Sequence, residues 1–344
     1  MFKNLKLSVK MGVGFGASVL LTAVLGGIAV YSMSSAAKDA SVMSAEYLPE
    51  ISVAAQMERD THEAMYNMRG YALSEDNAYY VKAAASLKAL GEAVAQARTL
   101  QAKAPHLLAL KGQLDVIEPA FAKYKDLAEK TSADIDEFGD TRKRLDAAAK
   151  TFMDSMEALN KSQDEKMNAE IAANAAGQTK TESGAEINLA ERFQKATLIV
   201  DMTELGNWTR IACFKGQALR DVSMLEQAQK NIEAISAKAA ELRPITRVQA
   251  DLDDINIAEN AAKTYGQTML ELAKDMKILS ELGKERNDVG ETLVAAAKEL
   301  ATKGNEHGMQ VATETSSSLS RTSMILIVGV LVSAVVGLFV ATFT

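Results

Sequence analysis

Residues 53–75, VAAQMERDTHEAMYNMRGYALSE, return in altered form at residues 199–221, IVDMTELGNWTRIACFKGQALRD. At a constant offset Glu58 falls on Glu204, Gly70 on Gly216, Ala72 on Ala218 and Leu73 on Leu219. Similar residues surround these pairs: Met65 with Ile211, Met68 with Phe214, Arg69 with Lys215, Glu75 with Asp221. Self-similarity at a fixed period is the mark of a repeated supersecondary unit. Within each copy apolar residues recur every three or four positions, which is helical periodicity. Each copy is followed by a polar turn, a shorter helix and a proline, Pro105 or Pro244, that stops it.

Working outward, six helices are expected, at 34–74, 77–103, 106–172, 184–219, 223–242 and 246–323. Capping-box patterns at Ser183–Glu186 and Ser223–Glu226 start the fourth and fifth. The third carries Leu107, Leu110, Leu114, Ile117, Phe121, Tyr124 and Ala128, then Ile135, Phe138, Leu145, Ala149, Phe152, Met156 and Leu159. The sixth carries Tyr265, Met269, Leu272, Met276 and Leu279, then Leu293, Ala297 and Leu300. This 3-4 spacing is the seam of a left-handed helical bundle. Pro119 should kink the third helix. The third and sixth are about twice as long as the others at ~1.5 Å per residue. Each therefore serves both copies of the repeat. The expected fold is all-α: two stacked four-helix bundles sharing two long helices, flanked by two transmembrane helices. The first, membrane-proximal module takes about 34–142 plus 287–323, and the distal module about 143–286.

The flanks are residues 11–33 (MGVGFGASVLLTAVLGGIAVYSM) and 324–344 (MILIVGVLVSAVVGLFVATFT). Each is an uncharged run of about 20 residues, enough to cross a ~30 Å hydrocarbon core. Lys3, Lys6 and Lys10 precede the first and no acid does, so residues 1–10 stay cytoplasmic by the positive-inside rule. The competing reading is a cleaved signal peptide, for which this apolar stretch is long. The 34–323 region is then extracytoplasmic, which in a bacterium means inner membrane with the bulk of the chain periplasmic. A second span with nothing cytoplasmic after it is expected to be the end of a fragment.

Composition excludes several classes. The net charge of -7, with acids and bases interspersed, speaks against nucleic-acid binding. A single cysteine, Cys213, gives no disulfide framework. His62, His106 and His307 form no HxxxH or HExxH pair, so no metal site is expected. Phosphate-loop and nucleophile-elbow patterns are absent, and neither catalysis nor a cofactor is expected.

Two apolar spans, a basic N-terminus, RGYALSED at residues 69–76 and a duplicated six-helix unit together resemble a bacterial methyl-accepting chemotaxis receptor. The 34–323 region resembles its helical bimodular sensor domain. The resemblance covers nearly the whole chain and rests on architecture plus that one motif. It implies a homodimer, small organic-acid ligands such as acetate or dicarboxylates, and cytoplasmic signalling partners. The HAMP domain and methylated hairpin of such receptors are not in this sequence. Sensor histidine kinases carry similar domains, so a kinase output is one alternative and a ligand-free, membrane-tethered scaffold is another.

For a ligand site, the repeat carries the first seam (Ala54, Met57, Thr61, Ala64, Met68, Tyr71) onto Val200, Thr203, Asn207, Arg210, Phe214 and Gln217. Arg210 with Asn207, Thr203 and Trp208 is then a candidate carboxylate site, because a guanidinium fork suits a carboxylate. The competing register turns Ile211 inward and leaves Arg210 solvated. Arg142 and Arg286 interrupt the long seams near the expected module junction. There they either relay strain or pair with Glu137, Asp140 or Glu285. Arg59 and Arg69 become ligand candidates through the resemblance, while helix geometry points them to solvent or a dimer interface. Arg192 reads as surface charge.

Overall fold

The structure is a computed structural model that describes residues 7–182 and 184–343. Lys3, Lys6, Ser183 and Thr344 lie outside the described residues. The elements are α1 (Leu7–Val42), a π-helical turn (Met43–Tyr47), α2 (Leu48–Ser74), α3 (Asn77–Lys103), α4 (Leu108–Ala175), α5 (Leu189–Leu219), α6 (Val222–Leu242), a 3₁₀ turn (Arg243–Ile245) and α7 (Gln249–Phe343). Among the described residues there is no strand, only the isolated bridge Lys180–Glu186. α1 and α7 each hold a window long and apolar enough to cross a membrane, and almost none of either window is buried. Leu25 packs where a Cβ on Gly329 would stand, and Thr322 donates to Ser32 at 2.9 Å.

The chain forms two compact units. One is Met1–Tyr71, Asp76–Asp126 and Asn287–Thr344; the other is Ala72–Glu75 and Leu127–Arg286. Within α4 the change falls after Asp126. The part of α4 in the first unit, from Leu108 to Asp126, is shorter than the 27 residues of α3. In α7 the change falls at Arg286–Asn287.

The seams are those the sequence spelled out. Leu110, Leu114, Ile117, Tyr124, Leu293, Ala297 and Leu300 are buried in the first unit. In the second, Phe138, Leu145, Phe152, Met156 and Leu159 meet Ile199, Met202, Ile232, Ile235, Tyr265 and Met269 in one core. α4 runs unbroken through Pro119. Asp115, whose carbonyl loses its amide partner there, is exposed like Pro119 itself, so that carbonyl stays open to solvent.

Two helix starts differ from the capping-box expectation. α5 begins at Leu189, where the Asn188 side chain accepts from the Glu191 amide; Glu186 lies in the bridge instead. α6 begins at Val222 because Asp221 caps it, accepting from the Ser223 amide at 3.0 Å and the Ser223 hydroxyl at 2.6 Å. A carboxylate is the stronger acceptor for orphan amides, and the hydroxyl is drawn onto it.

Candidate functional site

The repeat is visible in three dimensions, but one residue out of the expected register. Buried positions of α2 include Ala54, Met57, Thr61, Ala64, Met68 and Tyr71. Those of α5 include Ile199, Met202, Gly206, Thr209, Cys213 and Gly216. Ala54 therefore corresponds to Ile199, not Val200, and the match continues through the turns. Glu75 and Arg220 are the only non-glycine residues with positive φ among those described, at 59° and 54°. Asp76 and Asp221 each follow and cap the next helix through the amide two residues on. The chain thus builds the same αα-hairpin turn twice, with a left-handed residue and then an aspartate cap.

These two turns meet one cavity inside the second unit. It has a volume of about 560 Å³, and Ala72–Glu75 and Gln217–Val222 provide parts of its wall. α4 adds Ile135, Phe138 and Arg142, and α7 adds a face from Met276 to Lys284. The charged lining is Arg142, Arg220, Lys277 and Lys284 against Glu75 and Glu281. Arg142 is ion-paired with Glu75, and its guanidinium lies 4.6 Å above the Phe138 ring. Arg220 donates to the carbonyls of Ala72 and Leu73 at 2.8 and 3.1 Å, closing the end of α2. Lys277 pairs with Glu226. The excess of cations on a half-enclosed wall with an apolar floor suits a small anion.

The residues singled out from sequence go to several places. Arg142 lies beside the seam rather than on it; Thr141 takes the seam position and donates to Asp275 at 3.0 Å. Its partner is Glu75 from another turn, not Glu137 or Asp140. Arg286 is on the seam, 2% exposed, and donates to Thr131 at 2.7 Å. Arg210 is half-buried and lines a groove of about 430 Å³ with Asp146, Lys150, Asp154, Phe214 and Tyr265. Two acids balance two bases there, so the groove has no net pull on an anion. Asn207 and Trp208 are exposed, and Thr203 donates to the Ile199 carbonyl within its own helix. The structure does not bring those three residues together with Arg210 in a binding arrangement. The physical reason is the register: with Gly206 and Thr209 buried, Asn207 and Arg210 turn to the flanks. Arg59 and Arg69 are exposed, and Arg69 donates to Asn287 at 3.1 Å. Ile211 is exposed too, so the register shifts in the direction opposite to the alternative weighed from sequence.

Several polar groups escaped the sequence reading. Arg192, read as surface charge, makes a buried pair with Glu170 at 2.6 Å and donates to Gln163 at 2.6 Å. Gln163 and Lys166 in turn donate to Asp251. This network satisfies its members and reads as packing. Beside it Glu191 binds Arg247 and Lys195, and its pKa falls to about 2, first through the Arg247 hydrogen bonds and then through Lys195. Glu75 and Arg220 were missed because the repeat was set one residue off, which hid that they are equivalents. Among the described residues no group of three or more His, Cys, Asp or Glu could hold a metal ion.

Comparison with known proteins gives one family. A family model described as a four helix bundle sensory module for signal transduction matches residues 4–182. No curated protein matches the chain.

Proposed function

This chain belongs to the four-helix-bundle sensory modules of methyl-accepting chemotaxis proteins, and we propose that it senses a small organic acid through the cavity lined by Arg142 and Arg220. The carrying observation is that cavity: four basic side chains and two acidic ones around about 560 Å³. A carboxylate is the chemistry that two guanidinium and two ammonium groups favour. The α7 wall of the cavity, Met276 to Lys284, belongs to one helix that continues to Phe343 through its apolar segment. A ligand that prefers one packing of this wall over another biases α7, and only such differential affinity does so. In this reading the sensing region lies in the periplasm, anchored in the inner membrane by α1 and α7. The receptor works as a homodimer and hands its signal to cytoplasmic partners beyond the second span.

The test is calorimetric titration of the full chain in lipid nanodiscs with mono- and dicarboxylic acids. A bound acid is expected, with Arg142→Ala weakening it by about 100-fold, the cost of a lost charge-assisted pair. Binding of no acid, or unchanged affinity in both Arg142→Ala and Arg220→Ala, would sink the proposal.

A further inference from the structure

The first unit contains a buried carboxyl that nothing above uses. Glu50 is 2% exposed and continues the α2 seam one turn before Ala54. Its Oε1 has no hydrogen-bond partner. Its other oxygen lies against the α7 backbone, where a Cβ added to Gly304 would stand 3.0 Å from Oε2. Directly before it comes the π-helical turn Met43–Tyr47, which joins α2 to α1. A π-turn breaks the regular i→i−4 ladder and marks a place where a helix can change its hydrogen bonding at small cost.

We propose that Glu50 is a proton-binding site, and that its protonation seats α2 against α7 at Gly304 and holds the Met43–Tyr47 turn. The receptor then has a second input, external pH, read next to its two membrane-spanning helices and independent of the anion cavity.

The surroundings favour the neutral acid. Burial raises the Glu50 pKa to about 7. On its own helix the neighbouring titratable groups are Glu46 and Tyr47. Burial raises the Tyr47 hydroxyl, and the charges of Glu46 and Glu50 push it further. From the α3–α4 connection comes His106, whose Nδ1 meets Glu46 at 2.9 Å and whose amide donates to the same carboxylate at 3.2 Å. From α7 comes His307, whose ring meets Tyr47 edge-on at 6.2 Å. Lys303 on the same helix is taken by Glu299 at 2.6 Å. Lys103 lines the groove that holds Pro49. Of these bases, His106 is already engaged by Glu46. Ionised Glu50 would bring a second negative charge one turn from Glu46, in a seam with no base directed at it. Leaving the seam relieves that cost. The movement separates α2 from Gly304 and falls on the π-turn.

The test uses the full chain in nanodiscs of zwitterionic lipid, titrated from roughly pH 5.5 to 8.5, a window bracketing neutrality. Infrared difference spectra of protein labelled with ¹³C-glutamate should show one protonated glutamic acid band that vanishes with a midpoint near neutrality. Amide exchange at Met43–Glu50, corrected for its intrinsic pH dependence, should rise by about tenfold over the same range. Glu50→Gln should abolish both transitions, and His106→Gln should leave the midpoint in place. Absence of the ¹³C-shifted band in the wild type overturns the proposal without any variant, whether or not Glu50→Gln folds. Persistence of the exchange transition in a folded Glu50→Gln overturns it as well. Neither readout involves an organic acid, so failure here leaves the anion proposal to its own titration.

Discussion

The α2–α3 and α5–α6 turns share their backbone and differ in charge. Both place a non-glycine residue in the left-handed region and follow it with an aspartate cap. One carries Glu75 there and the other Arg220, and the two side chains line the same cavity with different tasks. Glu75 neutralises Arg142, while Arg220 closes the carbonyl end of α2. A duplicated turn has become an asymmetric site through the charge at one position. The seams diverge as well. Toward its end α2 fills its seam with Met68 and Tyr71, where α5 has Cys213 and Gly216. So at Gly206 and Gly216 the α5 backbone comes close to Phe152 and Leu225.

That contrast is broken most directly at the glycines. A Cβ on Gly216 would meet Leu225 Cδ1 at 2.2 Å and the Asp221 carbonyl oxygen at 3.0 Å. One on Gly206 would meet Phe152 Cε1 at 2.2 Å, in a buried ring. Gly216→Ala and Gly206→Ala are each expected to cost about 2–3 kcal/mol, overpacking outweighing the better helix propensity of alanine. Gly70→Ala in α2 meets only the ring of half-buried Tyr79, at 2.7 Å, and should cost about 1 kcal/mol. Urea unfolding read by Trp208, the one tryptophan of the chain, reports the second unit; circular dichroism reports the whole chain. Equal losses at all three positions would remove the distinction between glycines that face a buried side chain and one that faces a half-buried ring.

The two units should also respond oppositely to pH. Glu50 has a folded pKa raised to about 7 from 4.5, so the folded state holds the proton more tightly than the unfolded state. Its contribution is full below about pH 4.5 and fades as pH rises through 7, by about 2 kcal/mol after allowance for relaxation. Glu191 has a folded pKa lowered to about 2 from 4.5. Its contribution is present above pH 4.5 and fades as pH falls toward 2, by about 1 kcal/mol because its Arg247 partner is mostly exposed. Glu50→Gln and Glu191→Gln should each flatten their own limb of the stability–pH curve and leave the other unchanged.

At the turns the effects are smaller. A left-handed non-glycine residue stores about 1 kcal/mol that glycine releases. Glu75→Gly therefore trades that relief against a half-exposed ion pair and should stabilise by about 0.5 kcal/mol. Arg220→Gly gains the same relief but strips two hydrogen bonds from the end of α2, and should come out destabilising by about 0.5 kcal/mol. Changes of the same sign at both turns would show that Arg220 does not close α2.

Much of this architecture was legible because long apolar seams admit one periodicity. Leu110 through Leu159 and Tyr265 through Leu300 announce two helices that serve two bundles, and Pro105 and Pro244 punctuate them. The register of the repeat was not legible. Similar residues at Gly70–Gly216 and Leu73–Leu219 reward one offset, while burial follows the neighbouring one, because small residues in α5 can sit in the seam where α2 has methionine. Glu50 could have been noticed: it stands on the Ala54–Met57–Thr61 seam, where an acid is out of pattern. The partner of Arg142 could not, since a turn sixty-seven residues earlier supplies it.

The smallest expected effect separates the two arginines that could each have marked a carboxylate site. Arg210 lines its groove with Asp146 and Asp154 as well as Lys150, so the local charge is already balanced. It is half-buried, and its removal leaves Tyr265 and Phe214 to cover the same groove. Arg210→Ala should therefore change stability by about 0.5 kcal/mol and acid affinity by less than about threefold, the range of surface charges near but not at a contact. Arg142 differs because its wall carries the excess of positive charge, with Glu75 as its carboxylate partner. Calorimetry on both variants under identical salt tests the difference. A larger loss of affinity in Arg210→Ala than in Arg142→Ala would move the anion site to the groove and reverse the assignment.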